Sequence, residues 1–583
     1  MLRPCVWAAL LYVVVVANGA QSACSSWSKR YKQDIPGVCV CNATQCDDVS
    51  TEYLELSDRQ AGLFQTPKAG DRLAYSTLDV ETSSDSEADL IIDTSATYQQ
   101  ILGFGGAFTD ATAINVYKMK EAVQQRIVDA YFSDKGLQYT IGRVPIASTD
   151  FSESVYSYNP VEDDFEMAHF SIAIDKSNET HKLEFLKRAL GVSTREISLF
   201  ASSWAPPPWM TRENQTENSH MKGVPGEKYW KALALYYSKF IDAYKAENVT
   251  FWAMTTQNEP IQQLLAIREW QSLRFTTQEE RDFVKKDLGP LMKKNHPDLQ
   301  IIIFDDQKDE LLDWNASFID AEAKEYVAGV GVHWYKNLDF LDEASGHFEN
   351  LAAFHERHPD VFILPTEACE GYLVEGIGTG AGPKLLEANV TWQRGEIYAR
   401  DIINDLANYA AGWTDWNMVL DTTGGPNWAK NLVDAPILVD EESGGEFYKQ
   451  PMFYVMGHVA KFVPPGSHRI ALNLSASAVN STTQLLKRVD RVAFLTPEHQ
   501  VVVVLSNRNA EEVVLKLRDV QKGQHLSLRL PGNAIQTLLW ASPSHETSEN
   551  ISSPSPSAAN LHSPGCFKSA AALFVGIATS LLL

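Results

Sequence analysis

Eight short apolar runs recur along the middle of the chain, and segments with helical spacing of apolar residues separate most of them. Each run has the length and the β-branched or aromatic content that is typical of a strand. The runs occupy residues 101–107, 139–146, 197–202, 249–255, 299–304, 330–334, 361–366 and 412–416. Strands that alternate with helices form a parallel sheet, and eight such units close into a (β/α)8 TIM barrel. Such a barrel takes about 250 to 400 residues, so this chain of 583 residues is predicted to carry further structure.

Two glutamates follow the fourth and the seventh of these runs. Glu259 lies in an Asn-Glu-Pro triplet just after residues 249–255, and Glu367 directly follows residues 361–366. The C-terminal ends of barrel strands meet at one face, where TIM-barrel active sites are built. Glycoside hydrolysis requires two carboxyl groups, because one donates a proton to the leaving oxygen and the other meets the oxocarbenium-like centre. A single glutamate is more commonly a solvated or ion-paired residue, and only the shared position favours a catalytic pair.

Aromatic and hydrogen-bonding side chains cluster at the other predicted strand ends. They are Arg143 and Asp150 around the second strand, Trp204 and Trp209 after the third, His333, Trp334 and Tyr335 at the sixth, and Trp413, Asp415, Trp416 and Asn417 at the eighth. Aromatic rings pack against the C–H faces of sugars, and Asp, Asn and Arg bond to hydroxyls. Each tryptophan alone is more commonly a core residue, but the clustering predicts a carbohydrate site.

The composition excludes some classes of function. A content of 44% hydrophobic and 21% charged residues is typical of a globular protein. A net charge of -24 argues against a nucleic-acid partner, because phosphates require a basic surface. His355 and His358 lack the i, i+4 spacing of zinc-binding proteases, so we predict no metal and no cofactor.

The ends of the chain carry signals for trafficking. Residues 1–20 contain an arginine, an apolar run and then small residues, which predicts a cleaved secretory signal peptide. Residues 570–583 form an uncharged run of 14 residues, shorter than the about 17 to 25 residues that a membrane span needs. The run follows a polar spacer at residues 560–569 and small residues at 557–559, the order of a GPI-attachment signal with its ω site near Ser557. The alternative is that the run is a buried terminal helix or an unprocessed hydrophobic end.

Cysteine and asparagine patterns agree with secretion. The cluster of Cys24, Cys39, Cys41 and Cys46 indicates two local disulfides, and a metal site is less consistent with an oxidising compartment. Cys369 is interpreted as a free thiol, with a catalytic nucleophile as the alternative. N-glycosylation is predicted at Asn42, Asn178, Asn214, Asn315, Asn389, Asn473, Asn480 and Asn550. The sequon at Asn248, beside the fourth strand, is the weakest candidate for glycosylation.

The remaining segments divide the chain into domains. We predict a disulfide-stapled N-terminal segment at residues 21–50, strands that join a β-sandwich at 51–97, and the barrel at 98–465 with an excursion at 418–450. Strand-like runs at residues 53–56, 73–75 and 90–92 belong to the second of these segments. The rest of the sandwich follows at 466–541, then a Ser/Pro-rich stalk and spacer at 542–569, and the hydrophobic tail at 570–583.

Nine short motifs, in order along the chain, resemble the acid glucosylceramidases of glycoside hydrolase family 30. They are VCVCNAT at 38–44, GFGGA at 103–107, RVP at 143–145, NEP at 258–260, HWY at 333–335, TEAC at 366–369, WTDWN at 413–417, GGPNW at 424–428 and YKQP at 448–451. The resemblance implies a retaining β-glucosidase that hydrolyses glucosylceramide, with Glu259 as acid/base and Glu367 as nucleophile. It covers residues 24–540 or so and implies that the fold is a TIM barrel with an accessory β-sandwich.

The same resemblance implies further details. Glucose contacts are implied for Asp150, Trp204, Asn258, Trp416 and Asn431, to which the strand-end chemistry adds Arg143, His333 and Tyr335 as candidate substrate-binding residues. Disulfides Cys24–Cys39 and Cys41–Cys46 are implied as well. So are residence in the lysosome, a glycolipid substrate at a membrane surface, and assistance by a saposin-type activator and anionic lipid. A working GPI signal would instead place the enzyme at the cell surface.

Two loops depart from the family pattern. They are residues 261–273 and 370–384, and both are predicted to border the aglycone. An alternative function is therefore the same chemistry on another β-glycoside, such as a steryl glucoside or a β-1,6-glucan. A catalytically silent surface glycan-binding protein is a third reading, and the presence of both glutamates argues against it.

Overall fold

The computed structural model describes residues 23–82, 87–261, 270–318, 320–337, 346–372, 380–475 and 483–541. The predicted signal peptide, stalk and hydrophobic tail lie outside these residues, as do parts of the loops at 261–273 and 370–384. Within the described part of the chain, no helix has both the length and the apolar character needed to cross a membrane.

All eight predicted barrel strands are present. In chain order, barrel strands one to eight are Gly103–Ala107, Ile141–Ile146, Ser198–Ser203, Ala253–Thr255, Gln300–Gln307, Val327–His333, Phe362–Glu367 and Gly412–Asn417. Neighbouring strands pair in parallel, and strand eight pairs with strand one. Strands seven and eight approach through a single bridge between Ile363 and Ala410. The predicted TIM barrel is confirmed, so all eight C-terminal strand ends lie at one face.

Barrel strand four begins at Ala253, four residues later than predicted. The preceding helix explains the difference, because the backbone N–H of Val249 donates to the carbonyl of Tyr244 at 3.0 Å. Asn248 turns the chain there with a φ of 63°. Residues that complete the end of a helix cannot pair with the sheet at the same time.

Helices surround the barrel and fill the intervals between its strands. They are Asp110–Lys118, Glu121–Phe132, Lys182–Val192, Lys228–Ala246, Thr277–Phe283, Gly289–Asn295, Leu311–Phe318, Ala321–Lys324, Phe348–Arg357, Ala388–Ala407 and Pro451–Ala460. The helix Lys228–Ala246 is representative, since it buries Trp230, Leu233 and Phe240 on one face. This apolar stripe packs the helix onto the barrel and fixes the start of strand four.

Residues from both sides of the barrel segment build the accessory β-sandwich. Its strands are Gln60–Pro67, Ala74–Asp79, Glu81–Thr82, Leu90–Gln100, His468–Leu474, Val489–Leu495, Gln500–Asn507, Val513–Asp519, Gln524–Leu530 and Ala534–Ala541. Gln60–Pro67 pairs with Ala534–Ala541, and Leu90–Gln100 pairs with His468–Leu474, both antiparallel. The predicted pairing of early with late strands is therefore confirmed.

The run at residues 53–56 is not a strand, contrary to prediction. Glu52–Glu55 forms a short 3-10 helix, which turns Tyr53 into the core against Phe64 and Phe462 at ring distances of 5.6 and 5.5 Å. The contact with Phe462 joins residues that are distant in sequence, so the pattern of residues 53–56 alone does not reveal it.

The N-terminal segment packs on the excursion that follows barrel strand eight. After a helix at Ala23–Tyr31, the strand Cys39–Asn42 pairs with Glu446–Lys449 in a small sheet that also contains Ile437–Val439 and Val419–Asp421. Cys41 and Cys46 form a disulfide. Cys39 is also disulfide-bonded, and the side chain of its predicted partner Cys24 lies outside the described residues.

Most of the described sequons are open to solvent. Asn178, Asn214, Asn248, Asn389 and Asn473 are exposed and Asn42 is half-buried, whereas the side chains of Asn315, Asn480 and Asn550 lie outside the described residues. The exposure of Asn248 removes the structural objection to its sequon. Occupancy of these sites stays a prediction.

Candidate active site

A cavity of about 270 Å³ lies at the C-terminal ends of the barrel strands. Eight of the predicted site residues line it: Asp150, Trp204, Asn258, Glu259, Tyr335, Glu367, Trp416 and Asn431. Cys369 also lines it, as do eight residues that the sequence did not single out, namely Phe151, Ile261, Trp270, Asp306, Gln307, Lys336, Tyr372 and Val433. The other two predicted residues, Arg143 and His333, are buried behind the wall and bond to the glutamates.

The two glutamates face each other across the cavity. A carboxylate oxygen of Glu259, a ring nitrogen of His333 and a carboxylate oxygen of Glu367 all lie within 4.8 Å of one another. Glu259 has a φ of 44°, a left-handed conformation that is unfavourable for a non-glycine residue and concentrates at functional sites. Its backbone N–H donates to the carbonyl of Asp305 at 2.9 Å, which holds it in place.

Both oxygens of Glu367 accept hydrogen bonds. The guanidinium of Arg143 donates to Oε2, and the hydroxyl of Tyr335 donates to Oε1 at 2.8 Å. Burial raises the pKa of Tyr335 well above its usual value, so the phenol keeps its proton and remains a donor. The bond from the guanidinium is charge-assisted, and the two bonds together fix the orientation of the carboxylate.

Asp305, which the sequence analysis missed, connects these groups. Its Oδ2 accepts from Arg143 at 2.7 Å, and its Oδ1 lies 3.0 Å from Nε2 of His333. Burial by itself would raise the pKa of Asp305, but the charge of Arg143 and the bond from His333 lower it below its usual range. The sequence run Asp305-Asp306-Gln307 could have indicated this residue, because it places two acids and an amide at the C-terminal end of barrel strand five.

His333 is held as a cation between two carboxylates. Its Nδ1 lies 3.0 Å from Oε1 of Glu259, opposite the contact with Asp305. Burial lowers its pKa, but the charge of Glu367 and the bonds to Asp305 and Glu259 outweigh burial and raise the pKa to about 10. The imidazolium therefore donates on both sides throughout the physiological range.

Replacing Arg143 by methionine is expected to destabilise the fold, because it removes the buried guanidinium that pairs with both Asp305 and Glu367. The expected loss is about 3 to 5 kcal/mol in the free energy of unfolding, measured by guanidinium denaturation. Arg529→Met is the matched control: the Arg529 side chain is 73% exposed and pairs with Glu512 at the surface, so the loss should stay below about 1 kcal/mol. Equal losses in the two variants would contradict the buried-charge account.

Two tryptophans form one wall of the cavity. Trp204 and Trp416 stack at a ring distance of 4.9 Å, and the Arg143 guanidinium lies 4.8 Å from the Trp204 ring. Trp209 and Trp413, grouped with them by sequence, lie instead in the core. Their indole N–H groups donate to the carbonyl of Asn159 and to the carboxylate of Asp401.

The excursion after barrel strand eight also lines the cavity, through Asn431 and Val433. Amide nitrogens of Asn427 and Asn431 donate to Oδ2 of Asp150 at 3.2 and 3.0 Å. Burial raises the pKa of Asp150 to about 7, against the effect of these two bonds. An acid poised in this range can both accept and donate hydrogen bonds to sugar hydroxyls in mildly acidic solution.

Cys369 is a buried free thiol. Its Sγ lies 3.4 Å from the hydroxyl oxygen of Tyr335. Burial raises the pKa of the Cys369 thiol well above its usual value. Because the thiolate is the nucleophilic form, these surroundings favour the free-thiol interpretation over the nucleophile.

Glu370 should make stability depend on pH. Burial raises its pKa to about 7 against the opposing charge of Arg394, whose Nε is 3.8 Å away. A carboxyl whose folded pKa exceeds its unfolded value contributes its full stabilisation at low pH and loses it as pH rises through the folded pKa. Glu370→Gln removes this contribution, so the wild type should lose about 2 to 3 kcal/mol more than the variant between pH 5 and pH 8. Parallel denaturation midpoints over that range would contradict the assignment.

Glu259, His333 and Glu367 include ligand types that metals use, but their partners oppose a metal. A guanidinium already occupies Oε2 of Glu367, and His333 carries a proton on the nitrogen that faces Glu259. A cation at this point would lie next to two positive charges. The donor set is therefore suited to ion pairs and proton transfer.

Comparison with known families agrees with this site. The sequence model for the glycosyl hydrolase family 30 TIM-barrel domain matches residues 101–463, and that for the family 30 β-sandwich domain matches residues 466–538. The chain belongs to glycoside hydrolase family 30 and is a glycosidase.

Within this family the chain is similar to glucosylceramidases. It is 37% identical over 509 residues to the lysosomal acid glucosylceramidase of Mus musculus, which covers 86% of this chain and 93% of the relative. It is 24% identical over 466 residues to an endo-1,6-β-D-glucanase of Trichoderma harzianum, covering 78% of this chain and 86% of that protein. The fold is also that of SrfJ from Salmonella typhimurium, with a TM-score of 0.72, 24% identity, and coverage of 83% of this chain and 100% of that one.

Proposed function

We propose that this protein is a retaining β-glucosidase that hydrolyses glucosylceramide to glucose and ceramide. The observation that carries the proposal is the approach of one carboxylate oxygen of Glu259 to within 4.8 Å of a carboxylate oxygen of Glu367. Retaining glycosidases hold their carboxyl groups about 5 to 5.5 Å apart, whereas inverting enzymes need about 6.5 to 9.5 Å to admit a water molecule. The spacing supports a double displacement.

In the proposed reaction Glu367 is the nucleophile. Arg143 and Tyr335 hold its carboxylate while one oxygen attacks the anomeric carbon and forms a glycosyl ester. Glu259 donates its proton to the glycosidic oxygen, and the alcohol leaves. Glu259 then removes a proton from water, the water attacks the same carbon, and β-glucose departs with Glu367 restored as a carboxylate.

Two observations support a lipid aglycone. The relative from mouse is named a lysosomal acid glucosylceramidase, and the similarity covers nearly all of that protein. In addition, Ile261, Trp270 and Tyr372 line the cavity with apolar surface. A sugar-binding end with hydrogen-bonding groups and an apolar end suits a glycolipid.

A panel of substrates tests the choice of aglycone. Hydrolysis of glucosylceramide is compared with that of a steryl glucoside, β-1,6-glucan and xylan, each with and without anionic lipid vesicles. We expect the highest kcat/KM for glucosylceramide and stimulation by the vesicles. A preference for β-1,6-glucan, the substrate in the name of the Trichoderma relative, would change the proposed substrate but leave the proposed double displacement unchanged. No hydrolysis of any β-glucoside would favour the silent glycan-binding protein.

Residence and partners are part of the same proposal. The enzyme would travel through the secretory pathway to the lysosome, or stay at the cell surface if residues 557–583 act as a GPI signal. Anionic lipid, and in the lysosome a saposin-type activator, would present the substrate. Phosphatidylinositol-specific phospholipase C should release active enzyme from intact cells if the anchor is present. Activity that remains intracellular and insensitive to the lipase would support the lysosome.

A further inference from the structure

Gln307 reaches the active site because barrel strand five contains a bulge. The pairing with barrel strand six shifts between Phe304 and Asp306, and Gln307 becomes the partner of His333. Phe304 and Asp305 adopt left-handed φ angles of 74° and 50° to make this shift. A bulge re-aims the side chains that follow it, and here the strained residues bring Asp305 and Gln307 to the same side as His333.

One oxygen of Glu259 receives two donors as a result. The amide Nε2 of Gln307 lies 2.8 Å from Oε1 of Glu259, and Nδ1 of His333 lies 3.0 Å from the same oxygen. Both ring nitrogens of His333 face carboxylate oxygens, and the pKa of His333 is raised to about 10, so the ring is protonated on both sides and donates to Oε1. A protonated Oε1 would direct its O–H towards two N–H groups, so this oxygen is suited only to accept.

The orientation of the Gln307 amide also supports Oε1 of Glu259 as an acceptor. Its own oxygen is buried and, within the described residues, has no hydrogen-bond partner. Buried amides usually satisfy both ends. The reverse orientation would set two acceptor oxygens 2.8 Å apart, so the contact with Glu259 decides how the amide lies.

We propose that Gln307 is a positioning residue that, together with His333, keeps Oε1 of Glu259 as an acceptor and confines the catalytic proton to Oε2. This inference rests on the proposed role of Glu259 as acid/base. The transferred proton then always leaves from the same oxygen, and the carboxyl group cannot turn its proton away from the glycosidic oxygen. Correct placement of a general acid is part of its contribution, which amounts to about 10²- to 10⁴-fold in rate.

Gln307→Leu tests the proposal through its dependence on the leaving group. We expect kcat/KM to fall about tenfold for phenyl or alkyl β-glucosides, which need protonation, and less than about twofold for 2,4-dinitrophenyl β-glucoside, which does not. Gln124→Leu is the matched control. Gln124 is also a buried amide, but it lies on the helix Glu121–Phe132 and donates to the carbonyl of Met119. It should change neither value.

Gln307→Glu provides a second test that preserves the size of the side chain. A carboxyl group beside Oε1 must share a proton with Glu259, which raises the pKa of the pair. The basic limb of the kcat/KM profile should move up by about one pH unit or more. If Gln307 had a purely structural role, Gln307→Leu would lower activity equally for all leaving groups, and Gln307→Glu would leave the basic limb of the pH profile where it is in the wild type. Either of these two results would overturn the proposal.

The role of Glu259 is examined in the same experiment. Glu259→Gln should show an even steeper dependence on the leaving group. If that variant loses activity evenly across the series, the assignment of Glu259 as acid/base fails. If Glu259→Gln shows the dependence and both Gln307 variants behave like the control, only the inference on Gln307 fails. Should Gln307→Leu not fold, the pH profile of Gln307→Glu decides.

Discussion

Replacing Glu367 by glutamine is expected to reduce turnover of every β-glucoside by on the order of 10⁵-fold. A neutral amide can neither attack the anomeric carbon nor leave as a carboxylate, so no glycosyl ester forms. The substitution also removes the charge that Arg143 and His333 face, while it changes the volume little. Steady-state hydrolysis of glucosylceramide and of 2,4-dinitrophenyl β-glucoside measures the loss, which should affect both substrates alike.

Trapping of the intermediate gives the more specific readout. A 2-deoxy-2-fluoro β-glucoside with a good leaving group should add one fluoroglucosyl mass to the wild-type peptide that contains Glu367, and none to the variant. Glu370→Gln is the control, since Glu370 is a half-buried carboxyl three residues further along the chain. It should retain activity within a few fold and should still be labelled at Glu367. Labelling of any other carboxylate would contradict the assignment.

Replacing Glu259 by alanine is expected to cost about 10³- to 10⁴-fold on glucosylceramide, whose alcohol leaves poorly without a proton. On 2,4-dinitrophenyl β-glucoside the loss in kcat/KM should be about tenfold or less, because that leaving group needs no acid. The second step then lacks its base, so the glycosyl-enzyme should accumulate. Kinetics on the two substrates, with a burst of dinitrophenol from the second, measure both effects.

Azide separates the two steps in this variant. As an anion it needs no base, so it should attack the accumulated ester, restore Glu367 as a carboxylate and release the sugar as β-glucosyl azide, with retained configuration. Glu279→Ala is a control on a surface carboxylate that caps the helix Thr277–Phe283, and it should show no azide effect. An equal loss on both substrates in Glu259→Ala would remove Glu259 from the acid/base role.

The barrel and the two glutamates could be predicted from local patterns. Each barrel strand is a short apolar run, and a strand end is the place where its functional residue must stand, so Glu259 and Glu367 follow from position alone. Trp204 and Trp416 were predicted in the same way. Trp209 and Trp413 were grouped with them, but sequence spacing cannot reveal that their indoles turn inward to bond with Asn159 and Asp401.

The rest depends on contacts between distant parts of the chain. Asp305 and Gln307 enter the site only because of the bulge in barrel strand five, and no residue type specifies two consecutive left-handed conformations at Phe304 and Asp305. Asn431 was found by family resemblance, since the excursion that carries it has no regular pattern. The 3-10 helix at Glu52–Glu55 likewise results from packing of Tyr53 against Phe462, more than 400 residues away.

The stereochemistry of the first product tests the double displacement most directly. Proton NMR is recorded during the first minutes of hydrolysis of an aryl β-glucoside, before mutarotation mixes the anomers. One oxygen of Glu259 lies within 4.8 Å of one oxygen of Glu367, closer than the about 6.5 to 9.5 Å at which inverting enzymes admit a water molecule, so β-glucose is predicted to appear first and α-glucose only later. Initial release of α-glucose would contradict it.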